Sequence, residues 1–246
     1  MRRITIISIL VLLCSIAAVA QQDYVGRFDL YGGWAYLNST NESLVQHGFH
    51  TQDGVNLNKW LSFGFDFSTF NGSTSLAPTQ LATSYQSQLQ QLVGVVATQN
   101  PALLPYAATL KIPYNASTWT VTGGPQLSYR GLKWITFFIH PSVGAYHEKV
   151  TARPQKSTNP LATPVTDYFI STGTLSSSAS KEDTTYFYGL GGGIELNVSK
   201  HVHIRMTSDW VRTPLFNNFL KDSVNNVRFS VGPTFNFGKN VAHKGF

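Results

Sequence analysis

The residues best suited to chemistry in this sequence are charged side chains set into otherwise apolar, alternating segments. In most of these segments the apolar residues share one parity and the charges take the other, so the charges would line the polar face of a strand. Glu195, Arg205 and Arg228 fall on three successive segments, where strand pairing would make them neighbours. The complete set on the polar faces is Arg27, Asp29, Asp66, Glu195, Arg205, Asp209 and Arg228. Because buried charges must be paired, the set predicts a structural ion network, with a catalytic carboxylate pair as an alternative.

The histidines and the cysteine argue against a metal or thiol site. His47 with His50, and His201 with His203, are pairs that lack a third ligand at a recognisable spacing. We therefore expect them to be exposed loop and turn residues without a bound metal. Cys14 is the single cysteine and lies in an apolar N-terminal segment that we expect to be removed. The mature chain then has no disulfide or thiol chemistry, and no motif predicts a cofactor.

The clearest alternating segments define the elements that must position the charges. In the last one, Val227 to Phe237, one parity is apolar and the other polar, as in a half-buried strand. In a secreted chain of this size we interpret the apolar face as facing lipid and the polar face as lining a lumen. Seven further segments are predicted as strands: 27–37, 48–57, 60–70, 118–129, 135–146, 185–197 and 202–212.

Four residues conflict with this strand prediction. Asp53 shares parity with apolar neighbours and would face lipid unless a bulge resets the register. Pro125, Pro141 and Pro233 lack the N–H that a closed ladder requires, so we expect them at bulges or near the membrane boundary.

The connections between the predicted strands alternate between long and short, beginning with a long loop at 38–46. Outer-membrane barrels place short turns in the periplasm and long loops outside. Residues 79–98, in the second long loop, carry apolar residues at helical spacing after Pro78 and predict a short helix.

The outward aromatic residues form two groups along the predicted strands. One group falls near the long-loop ends, and Tyr129, Phe235 and Phe237 fall near the short-turn ends. Such grouping is typical of the two interfacial girdles of a membrane barrel. The group near the long loops comprises Trp34, Tyr36, Trp119, Tyr186, Tyr188 and Trp210.

The beginning of the chain and its composition fit this class. Arg2 and Arg3 precede an apolar run, and Ala18-Val19-Ala20 offers a cleavage site, so 1–20 is predicted to be a cleaved signal peptide. Residues 21–246 then form one barrel domain. Charged residues make up 12% of the chain, well below the soluble-protein level of about 25%. The basic residues are scattered, so no nucleic-acid partner is inferred.

With the strands laid out, the chain resembles the OmpA-like eight-stranded bacterial outer-membrane barrels. The matching features are Tyr31-Gly-Gly-Trp34, Gly189–Gly193 with Ile194-Glu195, Ile204-Arg205 with Asp209, and Phe235-Asn-Phe237. Ser230, Gly232, Phe235 and Phe237 also resemble the C-terminal signal that such barrels present to their insertion machinery. We expect no periplasmic peptidoglycan-binding domain of the OmpA kind after the barrel, so the resemblance does not imply attachment to the cell wall.

The resemblance implies an all-β, antiparallel up-and-down transmembrane barrel in the bacterial outer membrane. Its expected role is structural or surface interaction, with the lumen charges acting in a minor ion pore as a switchable gate. Expected partners are outer-membrane lipid and lipopolysaccharide, the insertion machinery and an unknown extracellular ligand. The alternatives are a solute porin, a lipid-modifying enzyme and a soluble lipocalin-like binder. We predict no enzymatic activity because no outward histidine lies near the outward Ser208.

Overall fold

The computed structural model describes residues 22–99, 112–153, 180–221 and 224–242. The predicted signal peptide, 1–20, lies outside the described residues and remains a prediction. One helix, α1, spans Thr83–Gln99. The strands are β1 (Phe28–Ser39), β2 (Leu44–Asn56), β3 (Leu61–Leu76), β4 (Ile112–Tyr129), β5 (Ile135–Ala152), β6 (Ser180–Asn197), β7 (Val202–Thr213) and β8 (Val224–Phe237).

The eight strands form one closed barrel in which each strand pairs with its neighbours in the sequence. All the pairings are antiparallel, and β1 closes the barrel against β8, with Phe28 opposite Phe237. The predicted eight-stranded up-and-down barrel is therefore confirmed. A closed sheet leaves no unpaired edge, which is what a β-structure in lipid requires.

The alternation of side chains explains why this sequence closes with its apolar face outward. On β3, Phe63, Phe65 and Phe67 are exposed, whereas Ser62 and Asp66 are buried inside. The same alternation recurs around the barrel, and more than two dozen large hydrophobic side chains are exposed on the described residues. A soluble protein does not expose so much contiguous apolar surface, so the soluble lipocalin-like alternative is wrong.

Four strands extend five or six residues beyond the predicted ends, on the side of the long connections. β3 has 16 residues and β4, β5 and β6 have 18 each, whereas a tilted strand crosses a bilayer in about 9 to 11. Their lower ends meet at short turns, so the additional residues extend the opposite rim of the barrel. The pattern missed these extensions because above the lipid both faces of a strand can be polar.

The first connection also differs from the prediction. A long loop was expected at 38–46, but β1 and β2 continue to Ser39 and from Leu44. A single 3-10 turn, Thr40–Glu42, joins them, and Ser43 adopts a left-handed conformation with φ 52°. The first predicted long loop is therefore a tight turn.

The three strand prolines interrupt the ladder without shifting it. Pro125 and Pro141 lie in the β4–β5 gap between the pairs Gly123–Val143 and Leu127–Ile139. Pro233 lies in the β1–β8 gap between the pairs Tyr31–Thr234 and Trp34–Val231. Each gap has equal numbers of residues on both strands, so the expected bulges are absent from these positions. Asp53 likewise lies in an unbroken register opposite Leu30 and Phe65, and it faces outward.

Both ends of the described chain meet at the short-turn mouth of the barrel. Val25 and Val241 are buried together, and the Val241 N–H donates to the Val25 carbonyl oxygen at 2.8 Å. The side chain of Asn240 donates to the Asp23 carbonyl oxygen and accepts from the Val25 N–H. The two ends thus form a small cap under the lumen.

The predicted helix is present in the β3–β4 connection, beginning four residues later than expected. Leu81, just before α1, forms a bridge with Leu220, and the ring of Tyr85 packs 5.1 Å from that of Phe219. Among the described residues, no helix combines the length and apolarity needed to cross a bilayer.

Candidate functional site

The interior from the short turns up to the middle of the barrel, which we call the lower lumen, contains an ion pair centred on Arg205. Arg205 of β7 is opposite Glu195 of β6, and its Nε donates to Glu195 Oε1 at 2.7 Å. The same guanidinium donates to the Gln52 side chain on β2, across the barrel. It also lies between the rings of Tyr31 and Phe138, at 5.6 and 5.2 Å from their centroids. Arg205 therefore links strands on opposite sides of the lumen.

A second set of polar contacts lies nearer the mouth at the short turns. Asp29 is buried and accepts a 2.7 Å hydrogen bond from Asn56 Nδ2. Arg130 donates to Asn56 Oδ1 at 3.2 Å and to the Lys59 carbonyl oxygen at 2.7 Å. The short-turn end of the lumen is thus held by charged hydrogen bonds.

A second cluster in the lower lumen is centred on Arg228 of β8. Its Nε donates to Asp209 Oδ2 at 2.7 Å, and its Nη1 donates to Ser68 Oγ at 2.7 Å. Asp66 lies 3.4 Å from the same guanidinium. Because β8 and β3 are not neighbours, the contacts to Ser68 and Asp66 cross the lumen. One arginine thereby neutralises carboxylates from two strands.

Two histidines join the Arg228 cluster, which corrects the prediction that His50 is an exposed loop residue. His50 is buried, with Nδ1 2.9 Å from Ser230 Oγ and Nε2 3.9 Å from Asp66 Oδ2. His140, which sequence reasoning did not select, has Nε2 3.0 Å from Asp209 Oδ1. His140 has the inward parity of β5, and this signal could have found it. His203 is also buried rather than exposed.

The structure brings six of the seven predicted lumen charges inside, and Arg27 is the exception. Asp29, Asp66, Glu195, Arg205, Asp209 and Arg228 are all buried. Arg27 precedes β1 and is only half-buried, and its side chain makes no ion pair with any described residue. The pattern included Arg27 because the alternation continues past the point where the strand begins.

The residues selected as girdles all lie on the outer surface of the barrel. Trp34, Trp119, Tyr129, Tyr186, Tyr188 and Trp210 are exposed, and Tyr36 is half-buried. Two outward histidines stack on them: His47 lies 5.6 Å from Trp34, and His147 lies 5.1 Å from Trp119. These aromatic–histidine pairs present rings with polar edges, which suit a membrane interface.

The residues of the predicted insertion signal occupy different environments. Ser230 is buried, and its Oγ lies 2.7 Å from Thr207 Oγ1. At Gly232 a Cβ would overlap the carbonyl oxygen of Gly32, so glycine is required by the close approach of β1. Phe235 and Phe237 face outward.

The interior near the long connections, which we call the upper lumen, is a hydrophobic core instead. Leu215, Phe216 and Leu220, from the segment after β7, are buried against Phe70 and Phe187 of the barrel wall. Because this segment folds into the opening, apolar side chains cover the upper mouth. The full set of buried residues in this core is Ala35, Leu37, Leu44, Phe70, Leu76, Leu81, Tyr114, Ala116, Tyr146, Phe187, Val211, Leu215, Phe216, Leu220 and Val224.

Two carboxylates that sequence reasoning missed are buried beside this core. Glu42 lies in the first turn, and Glu148 lies on β5 beyond the lipid-facing belt, next to the exposed Lys149–Glu182 pair. Burial raises the pKa of Glu148 to about 7. Burial and the nearby Glu148 raise the pKa of Glu42 well above its usual range. Glu148 has inward parity, but it lies beyond the predicted end of its strand.

The described residues hold no group of three or more His, Cys, Asp and Glu side chains placed to bind a metal. On the outer surface, Ser208 faces Phe229 and Gly192 in its two pairings and has no histidine beside it there. An outward His147 does contact a hydroxyl, with Nδ1 2.7 Å from Thr184 Oγ1.

Comparison with known proteins shows the fold. No protein-family model and no curated protein sequence matches this chain. Among solved structures, Neisserial surface protein A is 10% identical with a TM-score of 0.51, covering 87% of this chain and 99% of that one. Ail of Yersinia pestis is 13% identical with a TM-score of 0.48, covering 87% and 99%. OprG of Pseudomonas aeruginosa is 10% identical with a TM-score of 0.48, covering 89% and 100%.

At these identities the likeness establishes a shared architecture, and it confirms the predicted resemblance at that level. A closed antiparallel barrel with an apolar exterior is the β-structure that can satisfy its backbone within lipid, and it is typical of bacterial outer membranes. The chain is therefore an outer-membrane β-barrel.

Proposed function

We propose that this barrel has a structural and surface-interaction role rather than transporting solutes. The observation that carries the proposal is the combination of a tall upper rim with a covered upper lumen. Strands β3 to β6 extend beyond the length needed to cross lipid, and Leu215, Phe216 and Leu220 fill the mouth. A solute porin needs a water-filled channel, which barrels of about 16 to 18 strands provide.

The outer face of the tall rim suits contact with the sugars and phosphates of lipopolysaccharide. Here β3, β4 and β5 present hydroxyl and amide groups around a shallow cavity of about 410 Å³. Asn71, Ser73 and Ser117 line it, and Lys149 adds a positive charge. This surface, which we call the polar shelf, lies just above the stacked Trp119 and His147. It would therefore contact the headgroups of the neighbouring lipids.

The polar shelf allows a direct test with lipopolysaccharide. Purified barrel in detergent is titrated with lipopolysaccharide, and the thermal midpoint of unfolding is measured. Lys149→Gln should reduce the stabilisation, because the lysine would no longer pair with phosphate. Lys59→Gln, in a short turn at the opposite end, is the matched control and should behave like wild type. Equal responses of both variants would contradict the proposed contact.

The orientation is testable by cysteine labelling, because the chain beyond the predicted signal peptide contains no cysteine. With a membrane-impermeant maleimide on intact cells, Ser73→Cys should be labelled. Lys59→Cys should react only after permeabilisation. Labelling of Lys59→Cys alone on intact cells would reverse the assignment and remove the surface role.

A minor ion pore with a switchable gate is a second candidate, favoured by the ion pairs of the lower lumen. Glu195 and Arg205 are adjacent across a strand pair, while Arg228 binds carboxylates from two strands. Rearrangement of these contacts would change the charge lining the lumen. In planar bilayers, Glu195→Ala and Arg205→Ala should each alter conductance. Unchanged conductance in both variants would eliminate the gate.

We further propose that the chain has no enzymatic activity and that its terminal strand is recognised by the insertion machinery. Ser208 has no histidine beside it in its strand pairings, which argues against an outer-surface hydrolase. Release of fatty acid from lipopolysaccharide by purified protein would contradict this. Phe237→Ala, which removes the last outward aromatic ring, should reduce the amount of folded barrel in the membrane.

A further inference from the structure

The buried acidic pair at the upper rim, unlike Glu195 or Asp209 of the lower lumen, has no ion pair with a basic side chain of the described residues. Glu42 is 2% exposed and Glu148 is 0% exposed, and the two carboxylates are close enough to interact electrostatically. Glu42 is carried by the 3-10 turn between β1 and β2, and this turn packs against β8. Both groups therefore face the same enclosed space above the lipid.

Neither carboxylate is neutralised by a basic side chain within the described residues, where the ion pairs all involve other groups. Glu148 Oε2 accepts hydrogen bonds from Thr118 Oγ1 at 3.0 Å and from the Tyr146 hydroxyl at 3.5 Å. Glu148 Oε1 and both carboxylate oxygens of Glu42 receive no hydrogen bond from the described residues. Three buried carboxyl oxygens thus lack a donor, and ionising either group there costs free energy unless a cation compensates the charge.

Two buried amides without partners accompany these oxygens. Gln46 and Asn226 are both 0% exposed, and neither the oxygen nor the nitrogen of either side-chain amide has a hydrogen-bond partner among the described residues. Gln46 lies at the start of β2, four residues after Glu42. Asn226 of β8 is opposite Ser39, which directly precedes the turn that carries Glu42. Both amides have inward positions beside that turn, and they could supply neutral oxygen ligands.

We propose that Glu42, Glu148, Gln46 and Asn226 form a binding site for one calcium ion in the upper rim of the lumen. A divalent cation balances the charge of two carboxylates. The donor set consists of oxygen atoms without histidine or cysteine, which suits a hard cation rather than zinc. Calcium accepts six to eight oxygens in irregular geometry, so a mixed carboxylate and amide set fits it better than magnesium. This site does not depend on the proposed surface role or on the gate.

The test uses full-length mature protein, free of lipopolysaccharide and refolded in detergent with a chelator. Terbium, a calcium substitute, is added at pH 7.5, and its luminescence is excited through nearby tyrosines such as Tyr114 and Tyr146. Calcium should displace the terbium and raise the thermal midpoint of unfolding. Glu42→Gln and Glu148→Gln keep the side-chain shape and should each weaken binding by about tenfold or more. Glu182→Gln, on the exposed pair with Lys149, is the control and should bind as wild type does.

The wild-type protein alone can overturn the proposal if both site variants fail to fold. A calcium concentration of about 10 mM exceeds the dissociation constants of the weakest extracellular calcium sites. An unchanged thermal midpoint of unfolding at this concentration would mean that the carboxyl groups are protonated and bind no calcium. Equal terbium affinity in wild type and a folded Glu148→Gln variant would show that the bound ion lies elsewhere. Heat-modifiable gel mobility identifies the folded variants.

Discussion

The lower and upper lumen bury carboxylates in opposite ways. In the lower lumen, Glu195 accepts from Arg205, and Asp209 accepts from Arg228, so each of these two carboxylates has a charged partner. In the upper lumen, Glu148 receives only hydroxyl donors and Glu42 receives none from the described residues. In the lower lumen, ion pairs between strands favour one arrangement of the barrel wall over others. In the upper lumen, the burial of apolar side chains stabilises the fold. The same residue type therefore serves different purposes at the two levels.

Removing Arg228 should have the largest effect on the stability of the barrel. Arg228→Ala leaves Asp66 and Asp209 buried together without their shared cation, and breaking a buried pair costs about 3 to 5 kcal/mol. Urea unfolding in lipid vesicles, followed by tryptophan fluorescence, measures the loss. Arg212→Ala, on the exposed side of β7, should change stability by less than about 0.5 kcal/mol. A loss common to both variants would mean that the lower lumen does not depend on its ion pairs.

A cavity in the upper lumen should cost nearly as much, but for a different reason. Leu215→Ala removes a fully buried side chain from the apolar core and should lower the free energy of unfolding by about 3 kcal/mol. Raising the salt concentration should leave this difference unchanged, since no charge is involved. Exposed Val198→Ala, in a short turn, is the matched control. A small effect of Leu215→Ala would show that the covering segment is not packed.

The acidic pair predicts a specific dependence of stability on pH when calcium is absent. Glu148 binds its proton more tightly in the folded state, where its pKa is about 7, than in the unfolded state, where it is near 4.5. Its stabilisation is therefore complete below pH 4.5 and is lost as pH rises through 7, by about 3 kcal/mol. Glu148→Gln should flatten the stability profile over this range. An identical slope in wild type and variant would refute the assignment.

Weakening the contacts of the segment after β7, which covers the upper mouth, should give the smallest loss of stability. The Lys181 ammonium lies 4.5 Å from the centre of the Phe219 ring, which in turn packs on Tyr85 near the start of α1. Lys181→Ala should cost about 0.5 to 1 kcal/mol locally. Faster amide exchange in 81–86, with the lower strands unaffected, would report it. Lys221→Ala is the control, and matching exchange rates would exclude the cation–aromatic contact as the cause.

The sequence predicted the lower part of the barrel better than the upper part, and the reason lies in the solvent. Where lipid surrounds the strands, apolar and polar residues must alternate, so Phe63, Asp66 and Arg205 could be assigned a side from parity alone. Above the lipid, polar residues can occupy the outer face because it contacts water. The alternation of apolar and polar residues along β5 therefore ends before Glu148. His50 was misplaced although it lies in the predicted strand 48–57 with the parity of the buried Gln52, so parity could have placed it inside. Glu42 lies in a turn, where parity carries no information.

The gap in the β1–β8 ladder has a consequence for how the molecule assembles. These two strands join positions such as Phe28 and Phe237, so the seam can form only after almost the whole chain is present. Such non-local pairing is slow to form because it carries a large entropy of chain closure. Between Tyr31–Thr234 and Trp34–Val231 the seam lacks ladder pairs, and glycine and proline occupy it. The seam that closes last thus contains a short stretch without ladder pairs, so its closure depends on the paired residues on either side of that stretch.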